Sequence, residues 1–142
     1  MIALTRQFEA ELAELNRLLG TDFAIVSKIS GWDYEVLAVV SNMDAVKKGD
    51  HFVTKDTYCN EVIEKGEAVT YDHVGTVQSM VYHPIYTAMQ LESYLGVPLK
   101  LAGEIVGTLN FSGFSPKSPG FTAKDVEAAK SLAAMIEKSI QR

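Results

Sequence analysis

Ser93-Tyr94-Leu95-Gly96-Val97-Pro98-Leu99-Lys100-Leu101-Ala102-Gly103-Glu104-Ile105-Val106-Gly107-Thr108-Leu109-Asn110-Phe111 is the stretch that decides the fold. Leu95, Val97, Leu99 and Leu101 alternate with Tyr94, Gly96, Pro98 and Lys100. Beyond Ala102-Gly103, Ile105, Gly107, Leu109 and Phe111 alternate with Val106, Thr108, Asn110 and Ser112. A period of two belongs to a strand, whose successive side chains point to opposite faces. Two such runs around a short turn ending in glycine predict a hairpin. Pro98 has no amide hydrogen to give a ladder, so it must stand at an edge or a bulge.

Working outward, Phe23 to Ile29 and Trp32 to Val40 are rich in β-branched and aromatic residues, and Ser30-Gly31 suits a tight turn between them. Phe8, Leu12, Leu15 and Leu19 recur at helical spacing, and Gly20 is a fitting stop. Asn42 to Gly49 reads as a loop. A helix starts near Asp56 or Thr57, both competent N-caps, runs through Lys65 and stops at Gly66. Ala68-Val69-Thr70 reads as a short strand. Residues 72–92 are irregular, with a short helix from Ile85 to Leu91. Thr122 and Asp125 form a capping box, with Phe121 and Val126 at the staple positions. Val126, Ala129, Ala133, Ile136 and Ile140 then form a helical stripe. Antiparallel strands with flanking helices define an α+β class, here one domain over residues 1–142.

Composition narrows the partners. The chain has 142 residues, 47% of them hydrophobic and 22% charged, which is ordinary for a globular domain. Thirteen basic against 18 acidic residues leave a net charge of −5, which argues against nucleic acid or an anionic membrane surface as partner. The single cysteine, Cys59, excludes an internal disulfide and any paired-cysteine metal or redox motif. It fits a reducing compartment, and with no secretory signal or long apolar run the expected location is cytoplasmic.

The motifs of phosphate loops, dinucleotide folds, zinc proteases, serine hydrolases and calcium loops are all absent. Cys59 falls in the first turn of its helix, where the dipole favours a thiolate, and a dyad with His73 or His83 is conceivable. The alternative is a small buried hydrophobe on the face of Val62 and Ile63. His51, His73 and His83 match no metal-ligand spacing, even with Asp72 or Cys59 added, so no metal is expected. Tyr58, Tyr71, Tyr82, Tyr86 and Tyr94 gather around the irregular segment, either as packing or as the aromatic wall of a small-ligand pocket.

Three landmarks together carry a family resemblance. They are Asp56-Thr57-Tyr58-Cys59 opening a helix, the pair Tyr94-Leu95-Gly96-Val97-Pro98 and Gly103-Glu104-Ile105-Val106-Gly107-Thr108-Leu109-Asn110-Phe111, and Phe121-Thr122-Ala123-Lys124-Asp125 before the last helix. In this combination the chain resembles a bacterial GAF domain of the sensor histidine kinase and diguanylate cyclase type, over essentially its whole length. The resemblance implies an antiparallel sheet of about six strands. The N- and C-terminal helices would pack on one face and an irregular crossover on the other. It implies a non-catalytic, small-molecule-sensing module, such as the input of a sensor kinase in a two-component system or of a cyclic-di-GMP enzyme, or a stand-alone equivalent. Residues Tyr58, Cys59, Asp72, Tyr82, His83, Tyr86, Tyr94 and Asn110 are the candidate ligand-binding set.

The chain departs from several branches of that family. Tyr82-His83-Pro84 has no adjacent cysteine, which argues against a covalent bilin. The cyclic-nucleotide element is absent, and a lone Cys59 cannot run the internal disulfide cycle of the free methionine sulfoxide reductases. The alternatives kept open are a reductase that uses an external thiol and a dimerisation module without ligand. A homodimer through residues 2–19 and 123–141 is expected, on the reading that one sheet cannot satisfy Phe8, Leu12, Leu15 and Leu19 together. The stripe reaching Ile140 suggests a helix that continues toward an output domain.

Overall fold

The computed structural model describes residues 8–41, 46–77, 80 and 83–140, without the side chains of residues 86 and 87. The elements run α1 (Glu9–Leu19), β1 (Phe23–Ser30), β2 (Asp33–Ser41), β3 (His51–Val53), α2 (Cys59–Lys65), β4 (Val69–Tyr71), α3 (Pro84–Met89), β5 (Ser93–Leu101), β6 (Glu104–Gly113) and α4 (Ala123–Ile140). Single 3-10 turns lie at Thr54–Asp56 and Val74–Thr76. The strands form one six-stranded sheet in the order β3-β2-β1-β6-β5-β4, with every pairing antiparallel. This is the α+β arrangement expected from the sequence.

The decisive hairpin forms as read. Leu101 pairs with Glu104 across Ala102 and Gly103, both at positive φ, as a primed two-residue turn requires. Strand β4 pairs only with Tyr94, Leu95 and Gly96, so Pro98 stands where β5 has no neighbour on that side. In the other hairpin Ser30 pairs with Asp33, which moves the turn one residue on, to Gly31-Trp32. Gly31 sits at φ 60, a conformation glycine adopts freely.

Both faces of the sheet are covered. On one, Ala24, Val26, Leu95, Val97, Leu109 and Phe111 pack against α1 and α4. On the other, Phe23, Ile25, Tyr34, Val36 and Tyr94 pack beneath α2 and the crossover before β5. A bulge moves β2 between these faces. Val26 pairs with Ala38 but Ser27 pairs with Val36, so Leu37 is the extra residue. Val36 therefore faces the crossover, while Leu37 and Ala38 both face the helices. At Gly107, β1 comes so close that a methyl group would overlap the Ser27 carbonyl oxygen.

The capping box of α4 is present in full. The Thr122 amide donates to Asp125 Oδ2 at 2.9 Å, and the Asp125 amide donates to Thr122 Oγ1 at 3.1 Å. Three expectations are corrected. The second helix begins at Cys59, not at Asp56 or Thr57, because Thr54–Asp56 first makes a 3-10 turn and the Thr57 hydroxyl donates back to the Thr54 carbonyl at 2.8 Å. The crossover helix stops at Met89, since Gln90 takes positive φ. Phe8, Leu12, Leu15 and Leu19 are all buried in the chain's own core, and Ile140 is half-buried against it, so one sheet and one partner helix do satisfy the stripe. The first four residues of the predicted loop from Asn42 lie outside the described residues; its remainder holds a turn at residues 47–50.

Candidate functional site

Strand β6 carries the site. Thr108, Asn110 and Ser112 are alternate residues, so they share a face, and that face is turned inward under the crossover. Alternation along β6 puts Asn110 on the strand face opposite Leu109 and Phe111, and because the sheet is covered on both sides Asn110 is buried.

A polar seam runs beneath it. Ser27 Oγ and Thr108 Oγ1 lie 2.7 Å apart, and the Thr108 amide donates to Ser27 Oγ at 3.1 Å. Asn110 Nδ2 donates to the Tyr34 hydroxyl at 3.0 Å and contacts Thr108 Oγ1 at 3.2 Å. The seam converges on Cys59. Its sulfur accepts from the Tyr94 hydroxyl at 3.1 Å, from Thr108 Oγ1 at 3.3 Å and from Asn110 Nδ2 at 3.3 Å, and the thiol contacts the Tyr34 hydroxyl at 3.8 Å. Buried polar groups joined this way hold one another in a single arrangement.

The electrostatics follow from burial. Loss of solvent pushes the Cys59 thiol up, against the pull of the hydroxyls of Thr108, Tyr94 and Tyr34. Burial also raises Tyr34 and Tyr94 well above the usual phenol range, with Cys59 adding to both shifts. All three groups stay protonated near neutral pH. The thiolate that a helix N-terminus would favour is overridden, because desolvation of a sealed thiol outweighs the dipole of a seven-residue helix.

Beside this seam is a cavity of about 50 Å³. Asn110 and Ser112 form one side of it together with Tyr94 and Cys59; Phe23, Ile25 and Tyr34 belong to the sheet floor, and Ile85, Met89 and Leu91 come from α3 and the loop after it. Tyr58 also lines it and is anchored by its hydroxyl to the Leu91 carbonyl at 2.8 Å. Its ring meets Tyr94 edge-on at 5.5 Å and lies 4.9 Å from the His83 ring. Burial holds His83 below the usual histidine value, and its Nδ1 accepts from the Ile85 amide at 3.2 Å. No charged side chain is among the described residues lining the cavity. A water molecule needs roughly 10–15 Å³ of such space, so the cavity takes a few waters or one very small molecule.

Of the residues singled out from the sequence, Tyr58, Cys59, Tyr94 and Asn110 line the cavity, and His83 lies beside it with its ring tilted against that of Tyr58. Asp72 does not belong with them. Its Oδ1 accepts from the Phe121 amide at 2.9 Å and its carboxylate fills the space over Gly120, so it fastens the loop before α4. Tyr82 and the side chain of Tyr86 lie outside the described residues. Sequence reasoning missed Phe23, Tyr34 and Ser112. For Ser112 there was a signal, since Thr108, Asn110 and Ser112 repeat a polar residue at every second position of an otherwise apolar strand. The histidines do not gather: His51 pairs with Asp33 at 2.8 Å, and His73 is 3.7 Å from Glu92.

A six-stranded antiparallel sheet with the first and last helices on one face, and a small cavity under a crossover on the other, defines a class of compact α+β domains built around an interior site. The chain belongs to the GAF domain family, whose model matches residues 3–140. Solved structures share the fold at low identity. The type II free methionine-R-sulfoxide reductase from Thermoplasma acidophilum matches with TM-score 0.74 and 17% identity over 96% of this chain and 91% of that one. The GAF domain of an Acinetobacter phosphoenolpyruvate-protein phosphotransferase matches with TM-score 0.76 and 15% identity, over 95% and 80%. The phycocyanobilin-bound GAF domain of a cyanobacterial phytochrome matches with TM-score 0.76 and 20% identity, over 97% and 84%. No curated protein matches the chain. Among the described residues, no helix is long and apolar enough to cross a membrane.

Proposed function

We propose that this GAF domain is a non-catalytic sensor that binds a small molecule in the cavity between β6 and α3 and serves as an input module in bacterial signal transduction. The observation that carries this reading is the state of Cys59. It is the only thiol in the sequence, it is sealed from solvent, and burial holds it protonated beside the cavity. Thiol-dependent reduction needs an accessible thiolate. General acid–base chemistry needs a group that titrates near neutral pH within reach of the bound molecule, and on the described cavity wall burial raises the Tyr34 and Tyr94 phenols and the Cys59 thiol instead. What remains is shape and hydrogen bonding, which is binding.

A route outward exists in the same strands. Tyr94 and Asn110 face the cavity, while Leu95, Leu109 and Phe111, their neighbours in β5 and β6, pack on the face that carries α1 and α4. A close-packed sheet cannot shift on one face without shifting on the other. The terminal helices are then the elements that would pass a change to an output domain, such as a kinase or a cyclic-di-GMP enzyme, or to a second copy of the chain.

The test has two arms on the same protein. Thermal unfolding is followed against a panel of small metabolites, and turnover of free methionine-R-sulfoxide is followed with an external thiol reductant. The reading expects a saturable rise in unfolding temperature with at least one compound and no turnover. Sustained turnover that Cys59→Ser abolishes would replace the sensor with a reductase.

A further inference from the structure

We infer that the ligand is a compact, uncharged molecule with one hydroxyl or amide group, seated with that group on Asn110 and Ser112 and its apolar part beneath α3. This rests on the reading of the cavity as a ligand site.

Two polar atoms point to the seat. Every side-chain hydrogen bond of Asn110 among the described residues leaves from one end of the amide, toward Tyr34, Cys59 and Thr108. Its Oδ1 has no partner among them, and neither has Ser112 Oγ. Both residues are more than nine-tenths buried, at 2% and 5% exposure. Yet no fully sealed side-chain oxygen or nitrogen lacks a hydrogen bond among the described residues. The free end of Asn110 and the hydroxyl of Ser112 therefore open onto the cavity that both residues line. Buried polar atoms are almost always satisfied, here by whatever fills that space. Asn110 Oδ1 accepts and a serine hydroxyl donates or accepts. A ligand hydroxyl or primary amide, which does both, answers the pair.

Charge and size follow. A charged ligand group would meet no opposite charge among the described residues of the wall, and an unpaired buried charge is strongly disfavoured. The cavity of about 50 Å³ is well under the roughly 150 Å³ that admits benzene in an engineered protein core. At roughly 10–15 Å³ for each water-sized unit, the occupant is of the order of three to five heavy atoms. Apolar Ile85, Met89 and Leu91 close over its other end.

The test titrates the intact chain with propionamide, propionate and propylammonium, three molecules of one shape and different charge. Backbone and side-chain amide signals are followed by two-dimensional NMR. Propionamide is expected to give saturable shifts at the Asn110 side-chain amide and along Pro84–Met89, with a dissociation constant about tenfold below those of the two ions. Ser112→Ala removes a hydroxyl without adding bulk and should weaken propionamide about fivefold. Propionate or propylammonium binding there as tightly as propionamide would overturn the uncharged-ligand inference and leave the sensor reading standing. Unchanged affinity in Ser112→Ala would overturn the seat. Absence of saturable shifts with all three would overturn the cavity as a ligand site.

Discussion

The hydroxyl of Tyr94 donates to the sulfur of Cys59 at 3.1 Å, across the gap between β5 and α2. It does so because the Tyr94 ring folds back over Gly96 in its own strand, where a methyl group would overlap the hydroxyl. One glycine without strained φ thus sets the position of the ring, the ring sets the thiol, and the thiol closes the seam beneath the cavity.

Gly96→Ala is therefore expected to unseat Tyr94 although alanine suits a strand. The predicted loss is about 2–4 kcal/mol, from overpacking together with one broken buried hydrogen bond. Urea unfolding followed by tyrosine fluorescence measures it. A change under about 0.5 kcal/mol, the usual range for a surface substitution, would show that Tyr94 has another place to go.

Cys59→Ser is expected to fold and to keep any ligand response. The shorter serine side chain stretches the bonds from Tyr94, Thr108 and Asn110, and a hydroxyl replaces sulfur in a buried site, for a cost of about 1–3 kcal/mol. In the native protein, reaction of Cys59 with a thiol reagent should be slow and should speed up only on addition of denaturant. Immediate stoichiometric labelling would place the sulfur at the surface.

Two histidines should titrate in opposite directions. The Asp33 carboxylate at 2.8 Å raises His51, chiefly through their hydrogen bond, and burial lowers His83, so their NMR midpoints should straddle 6.5. The His83 contribution to stability is whole above 6.5 and is lost as pH falls toward its lower folded value, because the unfolded chain takes up the proton first. The exposed His51 pair acts the other way, present in acid and lost as pH rises through its raised folded value. His83→Phe should therefore reduce the loss of stability below pH 6.5. Equal midpoints for the two rings would remove the partial burial of His83.

Association, if it uses the terminal helices, should use their outer face. Leu18 and Met135 are 62% and 48% exposed and line a shallow apolar groove between α1 and α4 with Leu15 and Leu132. Leu18→Glu with Met135→Glu is expected to abolish any concentration-dependent shift in sedimentation while leaving thermal unfolding within a few degrees. Leu12→Glu, by contrast, should unfold the chain, since Leu12 is core. A wild-type chain that sediments as monomer at millimolar concentration would remove the dimer.

Periodicity made much of this architecture legible. The alternation from Ser93 to Phe111, the stripe of α1 and the Thr122–Asp125 box each state a local rule that the fold obeys. Strand β3 escaped notice because it is three residues long with His51 and Val53 exposed, so it has no pattern to show. The Leu37 bulge is set by pairing with β1 and leaves no trace in β2 alone. Asp72 was misassigned by its nearness in sequence to the irregular segment, although its partner is 49 residues away at Phe121. Asn110 and Ser112 were readable as an inward-facing polar pair only once both sheet faces were known to be covered.

Native mass spectrometry of freshly purified protein tests the central claim most directly, with Ser112→Val as the cavity-filling control. The account predicts a wild-type ion heavier than the chain by one small molecule. That increment should vanish on denaturation and be missing from Ser112→Val. A wild-type mass equal to the chain alone, unchanged by any compound of the panel, would contradict it.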